Sequence, residues 1–179
     1  MISLFFCLAF LWAGSGCDAL YRVLHKEGAQ ERDLLGQVLS ADPNPKVEEL
    51  QRLLILYGYS PGAVDGKLGA KTRIAIEKFQ KESGLPAHRF VDKATWERLH
   101  RFSSSGLVTN GEVNIKKVQT ILRSAGFNPG KIDGKMGART QQALRDFQKA
   151  YGLKPDGRIG FQTLSKLMAY GSQERDSQK

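Results

Sequence analysis

Apolar residues recur along this chain at helical spacing, in short stripes that capping residues open and glycines close. Leu50, Leu53, Leu54 and Tyr57 share one helix face. Asn44 stands ahead of that stripe as a side-chain cap, and Pro45 takes an early helical position where a missing N–H does no harm. Gly58 ends it, because a residue without Cβ turns easily into the left-handed conformation. A second stripe, with Ile74, Ile76 and Phe79, is predicted from about Ala70 to Ser83 and stops at Gly84. A third opens at Asp92 and carries Thr95, Trp96 and Leu99. The series then starts again. Asn114 caps Ile115, Val118, Ile121 and Leu122, ended by Gly126; Ala143, Leu144 and Phe147 end at Gly152; Phe161, Leu164, Leu167 and Met168 complete it. No strand is evident, so the expected class is all-α, with two tandem three-helix modules.

The repetition is a duplication. Val47–Leu99 lies over Ile115–Leu167 without a gap, and about 19 of 53 paired positions are identical. The breaks between stripes divide the chain into residues 1–16, 17–43, 44–102, 103–113, 114–171 and 172–179. The second piece is a helical spacer or docking helix, with apolar residues at Leu20, Val23, Leu24, Leu34, Leu35, Val38 and Leu39. Residues 44–102 and 114–171 are the modules. Ser103-Ser104-Ser105-Gly106 and Asn110-Gly111 mark residues 103–113 as a flexible linker. The all-polar residues 172–179 are expected to be a disordered tail.

The paired residues carry a resemblance. Gly-aromatic, Pro-Gly, Asp-Gly-x-x-Gly, Thr, an Ala-apolar pair, Phe-Gln and Gly-Leu follow one another in both copies. In the second they are Gly126-Phe127, Pro129-Gly130, Asp133-Gly134, Gly137, Thr140, Ala143-Leu144, Phe147-Gln148, Gly152-Leu153, Asp156-Gly157 and Thr163. In the first they are Gly58-Tyr59, Pro61-Gly62, Asp65-Gly66, Gly69, Thr72, Ala75-Ile76, Phe79-Gln80, Gly84-Leu85 and Thr95. Each copy resembles the peptidoglycan-binding domain attached to many bacterial wall hydrolases. The resemblance implies a three-helix fold and a cell-wall ligand. The first copy departs from the pattern at His88-Arg89, where the second has Asp156-Gly157. A turn glycine is replaced there, so a different loop is expected.

Composition adds compartment and charge. Ile2 to Ala13 is almost wholly apolar and is followed by Gly14-Ser15-Gly16 and Cys17, the layout of an export signal over residues 1–16. At about 12 residues the apolar run is too short for a membrane-spanning helix, which takes roughly 20. Two processing routes stay open. Cleavage before Cys17 resembles lipoprotein maturation and leaves a lipidated cysteine as a membrane anchor, although Gly14 stands where Leu is usual and no Lys or Arg precedes the run. Cleavage after Ser15 instead releases a soluble protein to the periplasm or beyond. The net charge of +9 favours an anionic partner. It is uneven: roughly +3 over Val47–Phe102 and roughly +8 over Ile115–Tyr170.

The candidate chemistry is recognition, not catalysis. Cys7 and Cys17 are the only cysteines, and His25, His88 and His100 lack metal-binding spacing, so no metal and no cofactor is expected. No nucleophile, metal or paired-carboxylate constellation is apparent, so the chain is expected not to be an enzyme. Asp65, Gly66, Gly69 and Thr72, with Asp133, Gly134, Gly137 and Thr140, are assigned to structural loops in which the acid accepts backbone N–H bonds and the glycines take positive φ. Candidate ligand contacts gather at the Gly-aromatic turn and second helix: Tyr57, Tyr59, Phe127, Asn128, Lys131, Arg139, Gln142, Arg145 and Arg158. Arg and Lys among them suit the carboxylates of wall peptides. The expected function is non-catalytic peptidoglycan binding in the cell envelope, with two tethered copies gaining avidity through a flexible linker. The alternative is an adaptor that recruits a wall hydrolase through the helix at Ala19–Leu39. Nucleic acid is disfavoured as a partner, since exported proteins rarely meet it.

Overall fold

The computed structural model describes residues 28–36 and 42–177. The export signal, Cys17 and most of the helix read at Ala19–Leu39 lie outside the described residues. Residues 28–35 form helix α1. The first copy supplies α2 (Pro45–Leu56), α3 (Ala70–Glu82) and α4 (Lys93–His100). A short antiparallel ribbon follows, β1 (Val108–Thr109) and β2 (Glu112–Val113). The second copy supplies α5 (Ile115–Ser124), α6 (Ala138–Ala150) and α7 (Phe161–Ser177).

Local chemistry sets the helix ends. Asn44 Oδ1 accepts from the backbone N–H of Lys46 and Val47, and Pro45 begins α2. Asn114 Oδ1 accepts from Lys117 N–H at α5. Gly58 and Gly126 terminate these helices at φ +92° and +84°, and the next N–H turns back to Leu54 O and Leu122 O. Val47, Leu50, Leu53 and Leu54 are buried on one side, as are Val118, Ile121 and Leu122 on the other. Phe79 and Phe147 stand at the two core centres, fully buried. The all-α class and the paired three-helix organisation are as the periodicity predicts, with the ribbon as the one addition.

Four features depart from the sequence expectations. Residues 103–113 are not a flexible linker. Leu107 and Val108 are buried, Leu107 O accepts from Asn114 N–H, and Asn110 and Gly111 take φ 54° and 74° in a tight hairpin turn. Asn110-Gly111 is a hairpin turn between the apolar residues Leu107-Val108 and Val113. Nor does the tail begin at 172: α7 continues to Ser177. An established helix propagates through strong formers such as Gln173, Glu174 and Arg175 at little cost. Residues 28–35 are no free spacer either. Glu31, 2% exposed, pairs with the Arg73 guanidinium at 2.5 and 2.7 Å and accepts from Val91 N–H at 2.9 Å. Leu35 is buried, and its carbonyl accepts from Asn44 Nδ2. Finally, the loop at His88-Arg89 keeps the second copy's shape. Arg89 adopts φ +70°, matching Gly157 at +70°. Its guanidinium meets Glu77 at 2.7 Å.

The copies are interlocked. Phe161, first residue of α7, inserts among aromatics of the first copy, with ring centroids 5.2 Å from Phe79, 5.4 Å from Phe102 and 5.7 Å from Tyr57. Its N–H donates to Tyr57 O at 3.4 Å, and Gln162 Nε2 donates to Glu82 O at 3.1 Å. The residue aligned with Phe161 is Lys93, which is exposed. The residue aligned with Gly160 is Asp92, the cap of α4. A Cβ at Gly160 would sit 3.2 Å from Tyr57 O, so the second copy forgoes an Asp cap where the chains approach closely. Replacing Phe161 by Ala is expected to cost about 3–5 kcal/mol, the usual range for a buried aromatic. In a Trp12→Phe background, urea unfolding followed by Trp96 emission should shift with it. Independent copies would leave the Trp96 transition in place.

Candidate functional site

Buried glutamines build the loops that shape the surface. Gln51 on α2 reaches into the Asp65 loop. Its Nε2 donates to Asp65 Oδ1 at 2.9 Å, Lys67 O at 3.1 Å and Thr72 Oγ1 at 3.3 Å, and its Oε1 accepts from the N–H of Asp65 and Gly66. Gln119 repeats this with Asp133, Lys135 O, Thr140 and Gly134 N–H. Gln80 and Gln148 hold the loops before α4 and α7. Gln148 Nε2 donates to Asp156 Oδ1, Arg158 O and Thr163 Oγ1, while Gly157 N–H donates to its Oε1. Gln80 does the same with Phe90 O, Thr95 Oγ1 and Arg89 N–H. Each of these carboxamides is at most 1% exposed and bonded through both ends, which offsets its desolvation.

The structure places the loop residues as read, with one correction. Asp65 and Asp133 accept from the N–H two residues on, at 3.0 and 2.9 Å. Thr72 and Thr140 donate to Pro61 O and Pro129 O. Gly66 and Gly134 have φ +69° and +77°. Gly69 and Gly137 do not: at φ −74° and −90° they are extended N-caps of α3 and α6. Hydrogen bonds from Gln51 and Lys67 N–H hold the Asp65 carboxyl below the usual carboxylate range, and Gln119 with Lys135 does so for Asp133.

Two concavities open on the glycine turns. One, of about 270 Å³, lies in the first copy between the turn at Tyr57–Ser60 and the α3 residues Ile74, Lys78 and Glu82. Ile74 is 46% exposed at its edge. The other, of about 490 Å³, lies between the copies and joins Tyr57, Gly58 and Glu82 to the loop Lys154–Arg158 and to Gly160–Thr163. Tyr57, Gly58 and Glu82 border both.

The candidate contacts scatter. Tyr57 is buried, as its place on the apolar face implies, and its hydroxyl donates to Leu99 O, so it offers a ligand no free phenol. Tyr59 is also buried and donates to Glu82 at 2.9 Å; burial and that carboxylate raise its pKa. Both residues border the first concavity. Phe127 packs edge-on to Phe147, and exposed Asn128 accepts from Gly130 N–H. Gln142 and Arg145 bond to one another on α6, and the Arg139 side chain lies against Gly130. Exposed Lys131 stands in the loop leading to Asp133. Of the cations named, Arg158 alone lines the cleft between copies. Ile74, Lys78, Glu82, Lys154 and Gln162 border these concavities and were not singled out from the sequence. The inequality of the copies was the available signal: Glu82 aligns with Ala150, and Lys154 with Pro86. Among the described residues no group of His, Cys, Asp and Glu is placed to hold a metal, and no helix is long and apolar enough to cross a membrane.

Duplicated three-helix units with glutamine-clamped loops and shallow surface concavities define a small helical binding module in tandem. The chain belongs to the family described as "Putative peptidoglycan binding domain", which matches residues 43–99 and 111–167. It is 32% identical over 103 residues to the N-acetylmuramoyl-L-alanine amidase CwlM of Mycobacterium tuberculosis, covering 52% of this chain and 25% of that protein. It is 28% identical over 148 residues to a probable N-acetylmuramoyl-L-alanine amidase of Bacillus licheniformis, covering 69% and 42%. A spore cortex-lytic enzyme of Bacillus cereus is 40% identical over 55 residues, covering 31% and 21%. The chain thus spans less than half the length of these relatives. No solved structure matches it significantly.

Two predictions follow from the loops. A Cβ at Gly66 would lie 2.5 Å from Asn44 N and 2.9 Å from Pro43 Cα, whereas at Gly134 the nearest atom is Lys116 Cβ at 3.7 Å. Gly134→Ala should therefore cost about 1–2 kcal/mol for its φ alone. Gly66→Ala should cost clearly more, since backbone must move and the Asn44 N–H to Gly66 O bond is lost. Thermal melts of the two variants check the order. For pH, a depressed folded carboxyl contributes stability that is present above the ordinary value of 3.8 and lost as pH falls through the folded one. Asp133→Asn keeps an acceptor but no charge, so its Tm should fall less than the parent's below about pH 4.

Proposed function

We propose that this chain is a non-catalytic wall-binding protein that anchors or targets within the cell envelope. The observation that carries it is that the family match fills both copies. The hydrolases it resembles align over a quarter to two fifths of their length. Export through residues 1–16, and a lipid anchor at Cys17 or release after Ser15, complete the reading. The adaptor alternative loses support, because residues 28–35, part of its docking helix, spend Leu35 and Glu31 on the first copy.

With the copies interlocked, pairing acts through fixed geometry and not through the effective concentration of a flexible tether. The surplus of positive charge on the second copy suits carboxylates of wall peptides. The test is co-sedimentation of the mature chain with purified sacculi. The chain is expected to pellet and to release no soluble fragments from dye-labelled sacculi. Arg139→Glu with Arg145→Glu should lower retention several-fold, as loss of charge-assisted contacts does, at unchanged helicity. Failure of the parent chain to pellet would overturn the reading, and fragment release would overturn its non-catalytic part.

A further inference from the structure

The two concavities lie side by side. They adjoin, since Tyr57, Gly58 and Glu82 line both the first copy's hollow and the cleft between copies. Size distinguishes them. The hollow in the first copy is about 270 Å³, and the cleft between copies, at about 490 Å³, is the larger of the two. One copy alone supplies only the smaller.

The charges that line the cleft are those in which the copies differ. The first copy has Glu82 where the second has Ala150. The second has Lys154 and Arg158 where the first has Pro86 and Phe90. Each copy therefore carries charge on the side that faces the other and lacks it at the equivalent, outward position. Lys154 and Arg158 are exposed and form no ion pair among the described residues. Beside them stand Gly58 and Gly152, where a Cβ would meet nothing within 4 Å and backbone lies open to a ligand.

The cleft is also rigid before anything binds. Gln148 fixes the loop from Asp156 to Arg158 through two donated bonds and one accepted bond, and a third donated bond ties it to Thr163 on α7. Gln162 to Glu82 O and Phe161 N–H to Tyr57 O tie the opposite walls together. Little ordering is left to oppose binding.

We infer that the copies form one composite site for a zwitterionic peptide, with Lys154 and Arg158 receiving its free carboxylate and Glu82 its amine. This rests on the wall-binding reading and names the part of the wall bound: the peptide, not the sugar strand or a phosphate polymer. Asp156 and Glu82 in the lining disfavour a polyanion, which a wholly cationic groove would suit.

The test titrates a soluble disaccharide-tetrapeptide muropeptide, with a free terminal carboxylate and a free side-chain amine, into the isotopically labelled full chain. Backbone amide shifts and Kd are read, with sacculus pelleting in parallel. Shifts at Gly58, Glu82, Gly152 and Gly160 on one isotherm are expected. Lys154→Glu with Arg158→Glu should raise Kd about tenfold or more, the scale of lost charge-assisted hydrogen bonds. Lys166→Glu, on exposed α7 surface away from the cleft, should leave Kd unchanged and separates site from net charge. Shifts confined to one copy, or an unchanged Kd in the double variant, overturn the composite site. So does a chain that pellets with sacculi yet ignores the muropeptide, which leaves wall binding standing. A chain that does neither overturns both.

Discussion

Phe161 lies within 5.7 Å, centroid to centroid, of Phe79, Tyr57 and Phe102, and the burial of that ring inside the first copy's core constrains what the second copy can present. Once the ring is seated, Gly160 is pressed against the Tyr57 carbonyl and Gln162 meets Glu82 O. The loop from Lys154 to Arg158 then faces the first copy's glycine turn. The aligned position in the first copy holds an exposed Lys, Lys93, so the insertion runs one way only. Two weak sites on a string and one bipartite surface make different demands on a ligand. The first asks for repeats at variable spacing; the second asks for one segment of fixed shape.

The glutamines impose the second constraint. A buried carboxamide with an unpaired end is costly, so Gln51, Gln80, Gln119 and Gln148 force the loops around them to supply donors and acceptors at set positions. This explains why the loop acids and threonines recur in both copies without forming a site of their own. Asp65 and Asp133 are occupied with Gln51 and Gln119. It also explains why Arg89 tolerates a left-handed backbone: its N–H is required by Gln80 Oε1, and the Glu77 carboxylate holds its side chain.

Much of this was legible in the residues. Helical period, Asn caps and terminal glycines marked six helices, and the ungapped overlay of Val47–Leu99 on Ile115–Leu167 marked the duplication. What stayed hidden was tertiary. Phe161 sits on an apolar stripe whether it packs within its own copy or in its neighbour, and periodicity cannot tell these apart. Tyr57 carries the same ambiguity: a tyrosine on an apolar stripe suits a core as well as a ligand surface, and here the core holds it. The ribbon at 108–113 was masked by the serines before it, although Asn110-Gly111 is a hairpin signal in its own right. The site was the least legible part. The residues that the copies share are scaffold. The charges lining the cleft are found by asking where the copies differ.

Copies interlocked through Phe161 tumble as one body. Backbone ¹⁵N relaxation of the full chain measures this directly. A single rotational correlation time shared by amides of α2–α4 and α5–α7 is the predicted result. Two shorter and unequal times, one for each copy, would contradict it.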